Sequence, residues 1–68
     1  GDNMNNGLLL LKDKRLEKGY TQEDIARTVG ITLRTYQKIE KGETEPRVHK
    51  ALHICYILDI SPYNVWFN

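Results

Sequence analysis

The sequence predicts an all-α fold, a compact five-helix bundle, and three observations support this class. No sustained alternation of apolar and polar residues occurs, and no Asn-Gly or Asp-Gly turn joins two alternating runs, so strand signals are absent. Glycines at 19, 30 and 42 each follow a segment with helical character, as glycines that end helices do. With 68 residues and one cysteine, the chain has room for one small domain without an intramolecular disulfide.

The first helix is expected over residues 8–18, which are rich in strong helix formers, and it should end at Gly19. Residues 1–7 are interpreted as a tag remnant followed by a flexible polar lead-in. The domain is therefore expected to span residues 8–68.

Threonines mark the starts of the second and third helices. Thr21 offers an N-cap for a helix over residues 22–29, with Asp24 as the acidic partner of a capping box. Thr32 can cap a helix over residues 33–41. Both helices are followed by a glycine, which takes positive φ easily.

The last two helices are predicted from a periodic apolar pattern and from a proline. The fourth begins near Arg47, and its inward stripe is expected to consist of Val48, Ala51, Leu52, Cys55 and Leu58. Ser61 and Pro62 form an N-cap followed by proline at the first helical position, so a short fifth helix is expected through Trp66.

Residues 22–41 have the properties of a helix-turn-helix. Ala26 is small enough for two helices to cross closely, and Gly30 tolerates a left-handed turn. Apolar residues at the remaining inward positions would fix the angle between the helices: Ile25, Val29, Ile31, Tyr36 and Ile39.

The outward face of the third helix is expected to be a stripe of long hydrogen-bond donors around one apolar residue: Leu33, Arg34, Gln37, Lys38 and Lys41. Such side chains suit the floor of a DNA major groove. The net charge is only +1. However, residues 30–41 carry three cations and one anion, and residues 11–18 carry four cations and two anions. This distribution predicts one surface that faces an anionic partner, although an ordinary solvated helix face would have a similar composition.

Three motifs together resemble the phage-repressor and Cro-type (XRE) helix-turn-helix family. They are GYTQEDIA at residues 19–26, VGIT at residues 29–32, and IEKG at residues 39–42, which is followed by Pro46. The similarity covers residues 8–66. It implies a lambda-repressor-like DNA-binding domain of about five helices, with the third helix in the major groove.

The resemblance also implies roles for individual residues. Gln22 matches a glutamine that contacts a phosphate and braces the recognition helix. Arg15 and Glu40 match an ion pair that joins the first helix to the end of the third. The positions that most often touch base edges are Leu33, Arg34 and Lys38, and those that read bases or hold the backbone are Thr32, Thr35, Gln37 and Lys41.

Two departures from the family pattern change these expectations. Leu33 stands where the family often has Gln, Arg or Ser, so contact with a thymine methyl replaces hydrogen-bond readout there. Glu43 and Glu45 occupy a loop where several relatives have basic phosphate contacts. This difference argues against a clamp on the DNA backbone from that loop.

The C-terminal region holds more large apolar residues than five short helices need: Tyr56, Ile57, Tyr63, Val65, Trp66 and Phe67. Ordinary burial would account for some of them. Because members of the family often pair near the fifth helix, the alternative is a dimer patch at Pro62, Tyr63 and Trp66. A weak homodimer formed or strengthened on DNA would require a pseudo-palindromic operator.

Other chemistries find no support in the sequence. His49 and His53 are four residues apart, but no third metal ligand has a matching spacing, so no metal site is expected. Cys55 fits the core stripe as a small apolar residue. The chain has no glycine-rich phosphate loop and no plausible catalytic triad, so we expect neither an enzyme nor a bound cofactor.

The expected function is sequence-specific binding of double-stranded DNA by a bacterial or phage transcriptional regulator, with a repressor as the favoured form. No apolar run is long enough to span a membrane, so a soluble, cytoplasmic protein is expected. A protein-interaction adaptor or antitoxin module with the same fold is the alternative. The near-zero net charge and the acidic loop favour that alternative, and a salt-resistant preferred DNA site would exclude it.

Overall fold

The computed structural model of the protein describes residues 3–67, and within this range the regular structure is entirely helical. Four α-helices are followed by one 3-10 turn: α1 (Asn3–Glu17), α2 (Gln22–Val29), α3 (Leu33–Lys41), α4 (Val48–Leu58) and the turn at Pro62–Asn64. The all-α class is therefore confirmed, whereas the count of five helices is not.

Helix α1 begins five residues earlier than predicted, so the expected flexible lead-in is helical as far as it is described. Gly7 is buried in this part of the helix. A Cβ at Gly7 would lie 2.7 Å from the carbonyl oxygen of Asn64 and 2.8 Å from the Cα of Val65. This glycine therefore permits a close approach of the C-terminal segment. Residues 1–2 of the predicted tag remnant lie outside the described residues.

The predicted caps of α2 and α3 are present. The Thr21 hydroxyl accepts the Asp24 N–H at 3.0 Å, and the Asp24 carboxylate accepts the Thr21 N–H at 2.9 Å, which completes a capping box. Those hydrogen bonds hold the pKa of Asp24 below its ordinary value. The Thr32 hydroxyl accepts the Thr35 N–H at 3.1 Å and caps α3.

The turn between α2 and α3 depends on Gly30, whose φ is 87°. In this left-handed conformation the N–H groups of Gly30 and Ile31 both donate to the carbonyl oxygen of Ala26, each at 2.9 Å. An L-residue with a side chain would be strained at this φ. The turn thus ends α2 abruptly and starts α3 three residues later.

The core lies where α2 packs against α3 and α4, with α1 contacting both α3 and α4. Its buried apolar residues are Leu11, Ile25, Ala26, Val29, Tyr36, Ile39, Ala51, Ile54, Cys55 and Leu58. Burial raises the pKa of the Cys55 thiol to about 11, so at neutral pH it remains a protonated thiol within the core.

The inward stripe predicted for α4 is partly wrong. Ile54 is buried with Ala51, Cys55 and Leu58, whereas Val48 and Leu52 are 62% and 46% exposed. At about 100° per residue, the four buried positions fall within an arc of about 100°, and the two exposed ones lie beyond one edge of that arc. The apolar residues of α4 therefore span a wider face than the neighbouring elements cover.

The predicted fifth helix is a single 3-10 turn. The Ser61 hydroxyl accepts the Tyr63 N–H at 3.3 Å and starts the turn as predicted. Instead of a helical ladder, the N–H groups of residues 65–67 all converge on the carbonyl oxygen of Pro62. The turn therefore closes on itself, and Val65 and Trp66 pack against the core.

None of the helices over residues 3–67 combines the length and the apolar character that crossing a membrane requires.

Candidate nucleic-acid interface

Helix α3 presents two chemically different faces. Tyr36 and Ile39 are buried on the inner face, and Thr32 caps the helix so that its first turn is well formed. On the outer face the side chains predicted to contact DNA are exposed or half-buried: Leu33, Arg34, Gln37, Lys38 and Lys41. The structure therefore brings the predicted donor stripe to one surface.

In the part of the chain whose side chains the structure describes, the cations of this stripe have no carboxylate partner. The ion pairs within residues 7–67 are Lys14–Glu17, Arg15–Glu40 and Arg27–Asp24, and none of them includes a cation on the outer face of α3. Arg34, Lys38 and Lys41 are therefore available to an external anion. An uncompensated row of donors on one helix face suits phosphates and base edges.

Gln22, the first residue of α2, links that helix to α3. Its side-chain oxygen accepts the Gln37 amide N–H at 3.4 Å, and its own amide donates to Glu40 Oε1 at 3.1 Å. The glutamine thus contacts one residue near the middle of α3 and one near its end. These contacts brace α3 from the side on which α2 begins.

Arg15 and Glu40 form a buried, two-point contact between α1 and α3. Arg15 Nε donates to Glu40 Oε2 at 2.8 Å, and its Nη2 donates to Glu40 Oε1 at 3.2 Å. The remaining terminal nitrogen, Nη1, donates to the carbonyl oxygen of Tyr20 at 3.0 Å. With only 9% and 6% of these side chains exposed, the pair is shielded from salt and water.

The surroundings favour the charged forms of both partners. Its hydrogen bond to Glu40 raises the pKa of Arg15 despite burial. Burial by itself would raise the pKa of Glu40, but the hydrogen bonds from Arg15 and Gln22 help to outweigh it and lower that pKa. The neighbouring Tyr36 hydroxyl is buried with no hydrogen-bond partner among the described residues. Burial, followed by the proximity of the Glu40 carboxylate, raises the pKa of Tyr36. The pair is therefore ionised at neutral pH beside a neutral tyrosine.

The side chains of Thr32 and Thr35, both predicted to contact DNA, are hydrogen-bonded to each other. The Thr32 hydroxyl donates to the Thr35 hydroxyl at 2.9 Å while it also caps the helix, and both residues remain exposed. Their position at the start of α3 places them beside Leu33 and Arg34. They can receive an external hydrogen bond without leaving the cap.

The loop after α3 is acidic and exposed. Glu43 and Glu45 are both exposed, and the Glu43 N–H donates to the carbonyl oxygen of Lys38 at 2.9 Å. The backbone of the loop is therefore tied to the end of α3, while its carboxylates face solvent.

The residues of the expected dimer patch differ in exposure. Tyr63 is 68% exposed, whereas Pro62 and Trp66 are half-buried, and Trp66 packs against the core. Trp66 therefore contributes to the core, which is the alternative to a dimer contact that the sequence left open. Tyr63 is the most exposed residue of the patch.

One contact near the turn was missed by sequence reasoning. Lys50 of α4 donates from Nζ to the carbonyl oxygen of Val29, the last residue of α2, at 2.8 Å. No periodicity or motif connects two positions 21 residues apart, so the sequence holds no signal for this bond. Among residues 7–67 no three potential metal-ligating side chains lie together, and His49 and His53 are exposed.

The chain is similar to known proteins over most of its length. The family described as helix-turn-helix matches residues 11–63. An uncharacterised HTH-type transcriptional regulator of Bacillus subtilis (strain 168), YgzD, is 37% identical over 57 residues, which cover 84% of this chain and 86% of that protein. An uncharacterised HTH-type transcriptional regulator of Methanothermobacter thermautotrophicus is 39% identical over 57 residues, which cover 75% and 83%.

A third relative is longer. The SPbeta prophage-derived uncharacterised HTH-type transcriptional regulator YonR of Bacillus subtilis (strain 168) is 39% identical over 51 residues, which cover 75% of this chain but 47% of that protein. No solved structure gives a significant match. The matched segment contains α2, the turn and α3, where the exposed cations and the bracing contacts lie.

Proposed function

Because the chain belongs to the XRE-type helix-turn-helix family, we propose that it binds double-stranded DNA at specific sequences and represses transcription in the cytoplasm. The family consists of DNA-binding regulators and not of enzymes, so no catalytic step is involved. The observation that carries the proposal is the outer face of α3, whose exposed cations lack carboxylate partners among the described residues. Helix α3 would lie in the major groove.

Base readout would come from Leu33, Arg34 and Lys38 on the outer face of α3. Arg34 has the planar fork that matches the two acceptors of guanine, and Lys38, one turn later, reaches the same groove. Leu33 is 39% exposed and can contact a thymine methyl. Thr32, Thr35 and Lys41 flank these side chains and would contact bases or backbone.

Gln22 and Gln37 would set the register of the protein on the DNA backbone. One N–H of the Gln22 amide group is used by Glu40 and a second remains, so a phosphate oxygen can be bound without breaking the brace. Phosphate contacts of this kind position a protein without reading sequence. Gln37 is held by Gln22 and would therefore move with it.

Two copies would bind a pseudo-palindromic operator. The contact would form around Pro62, Tyr63 and Trp66, where Tyr63 is the most exposed residue. A patch of three residues is far smaller than the ~800 Å² per partner of a stable interface, so the homodimer would form or strengthen on DNA. The half-site centres would then be about 10–10.5 base pairs apart, or a multiple of this.

A protein-interaction role, as an adaptor or antitoxin, is the second candidate. The observation that favours it is exposed aromatic surface, since Tyr56 and Tyr63 are 84% and 68% exposed. The acidic residues Glu43 and Glu45 beside α3 also reduce its attraction to DNA. In this case the chain would bind DNA weakly and without sequence preference.

Selection of bound duplexes from a random library separates the two functions. The regulator predicts a consensus with two-fold symmetry, bound tightly enough to survive moderate salt. The adaptor predicts no consensus and loss of all DNA binding as salt rises. A variant that lacks the α3 cations, Arg34→Ala with Lys38→Ala, serves as the control and should recover no consensus.

A further inference from the structure

Helix α2 ends in a carbonyl group that another helix satisfies. The last carbonyls of an α-helix have no partner within the helix. The carbonyl oxygen of Val29, the last residue of α2, accepts no backbone N–H within the described residues, because the chain turns at Gly30 before residue 33 can donate to it. Lys50 of α4 supplies the missing donor at 2.8 Å. A cation at this end of α2 also interacts favourably with the helix dipole.

The Lys50 ammonium lies at the turn that joins α2 to α3. A Cβ at Gly30 would be 3.3 Å from Nζ, so the ammonium lies directly against the turn. Lys50 lines a groove of about 280 Å³ with Ile31, Thr35 and Ile39, residues of the turn and of α3. The contact therefore connects α4, the end of α2 and the start of α3.

The ammonium selects this carbonyl although a carboxylate is nearby. Glu45 lines the same groove, yet Lys50 makes no ion pair with it, nor with any other carboxylate in residues 7–67. Lys50 is half-buried, whereas its neighbour Arg47, also on the groove, is exposed. The two cations therefore have different roles: Lys50 holds the protein backbone, and Arg47 faces solvent.

We propose that Lys50 is a positioning residue for sequence recognition, because its hydrogen bond to the Val29 carbonyl fixes the turn before α3. The inference rests on the proposed DNA-binding function. Base contacts by Arg34 require α3 to be placed within about 0.5 Å of its productive position. Helix α3 begins at Leu33, four residues after Val29, whose carbonyl Lys50 binds. Contacts with phosphates tolerate larger errors, since they are made by flexible side chains at the surface.

The experiment compares specific and non-specific binding for Lys50→Met, which keeps the apolar stem but removes the ammonium. The probes are the duplex selected by the wild-type chain and a scrambled duplex of the same length, each titrated over a range of salt concentrations. We expect Lys50→Met to lower the ratio of the two affinities about tenfold, with an unchanged salt slope. Lys50→Arg retains a donor and should restore most of the ratio. Arg47→Met is the matched control and should leave the ratio unchanged.

Two results would overturn the inference. A salt slope that falls by about one in Lys50→Met would make Lys50 a phosphate contact. A lower Tm with an unchanged ratio of affinities would leave it a purely structural residue. If the wild-type chain selects no duplex, the proposed function itself is wrong and the inference falls with it. Amide exchange in the DNA-free protein provides a further check, because the turn amides of Gly30 and Ile31 should exchange faster in Lys50→Met.

Discussion

At the residue scale, Glu40 is the acceptor on which three helices converge. It receives two hydrogen bonds from Arg15 of α1 and one from Gln22 of α2, and it lies near the end of α3. A carboxylate this well buried is stable only while its donors are present. The orientation of α3 thus depends on a charged contact inside a small core.

A double-mutant cycle tests the energetic coupling of this pair. Arg15→Met or Glu40→Met alone leaves a buried charge without its partner and should lower the free energy of unfolding by about 3 kcal/mol. The double variant should lose less than the sum, with a coupling of about 1–3 kcal/mol, measured by urea unfolding. The exposed pair Lys14–Glu17, at 3.6 Å, is the control and should couple by less than about 0.5 kcal/mol. Equal coupling in both pairs would contradict this account.

The same carboxylate predicts a pH dependence. Because the folded state lowers the pKa of Glu40 below its ordinary value of 4.5, its contribution to stability is complete above that value and is lost as pH falls through the lower, folded pKa. The difference in unfolding free energy between wild type and Glu40→Gln should therefore be constant from neutral pH to about pH 6 and shrink below pH 4.5. The pKa of Asp24 is also lowered, but Asp24 is present in both proteins and cancels. A difference that stays constant down to pH 3 would refute the assignment.

Arg34 and Gln22 should differ in how their loss affects DNA binding. Arg34→Ala is expected to cost about 1–3 kcal/mol and to relax the preference at one base pair, expected to be G·C. Gln22→Ala should weaken binding to all sequences by similar factors, since a phosphate contact carries no base information. Repeating the duplex selection with each variant measures both effects. A uniform loss with an unchanged consensus for Arg34→Ala would remove its base-reading role.

At the scale of elements, the C-terminal segment is attached to the bundle through α1. Gly7 lies under the backbone of Asn64 and Val65, and the aromatic ring of Trp66 packs against the core nearby. The 3-10 turn at Pro62–Asn64 is held by short-range hydrogen bonds to the carbonyl oxygens of Ser61 and Pro62. Its position therefore depends on contacts with α1 and α4 more than on its own helical structure.

Gly7→Ala tests this attachment. Alanine is the better helix former by about 1 kcal/mol, so helix propensity alone predicts a more stable protein. The added methyl would instead meet backbone atoms within 3 Å. We therefore expect the free energy of unfolding to fall by about 1–3 kcal/mol. Circular dichroism during urea unfolding measures this change. Lys12→Ala, at an exposed position in the same helix, is the control and should change the free energy of unfolding by less than about 0.5 kcal/mol. A more stable Gly7→Ala protein would show that the close approach is not required.

At the scale of the whole molecule, the charge is nearly balanced but unevenly placed. The chain has a net charge of +1, yet the cations on the outer face of α3 form no ion pair with the carboxylates that the structure describes. The apolar surface is also uneven, with exposed tyrosines at positions 56 and 63. A small protein domain with a cationic face and exposed aromatic side chains is suited to bind DNA while it contacts another protein chain.

Operator spacing tests the dimer that we propose. Tyr63→Asp would place like charges across the two-fold axis, because an isologous interface repeats every substitution. We expect it to reduce cooperative filling of a two-site operator while the affinity for a single half-site stays nearly unchanged. Tyr63→Phe, which adds no charge at the same position, serves as the control. Footprinting on operators with half helical turns inserted measures the effect, and equal occupancy at every spacing would leave a monomeric binder.

Most of the local structure follows from short stretches of the sequence. The all-α class, the capping box at Thr21 and the end of α2 at Gly30 follow from neighbouring residues, because caps and turns are short-range interactions. The helix-turn-helix family was evident from motifs of a few residues each, and the match over residues 11–63 confirms it. The donor stripe on α3 was predictable because helical periodicity alone places those residues on one face.

Packing of the helices against one another sets which apolar faces are covered and which distant residues meet. Val48 and Leu52 belong to an apolar stripe but remain exposed, since burial depends on where the neighbouring helices stand. The sequence predicts a flexible segment at Gly7, yet the backbone of Asn64 and Val65, almost sixty residues later, packs closely against it. The Lys50 bond to Val29 has the same origin. Contacts between residues far apart in sequence arise from the packing of whole elements, and local patterns of sequence do not encode that packing.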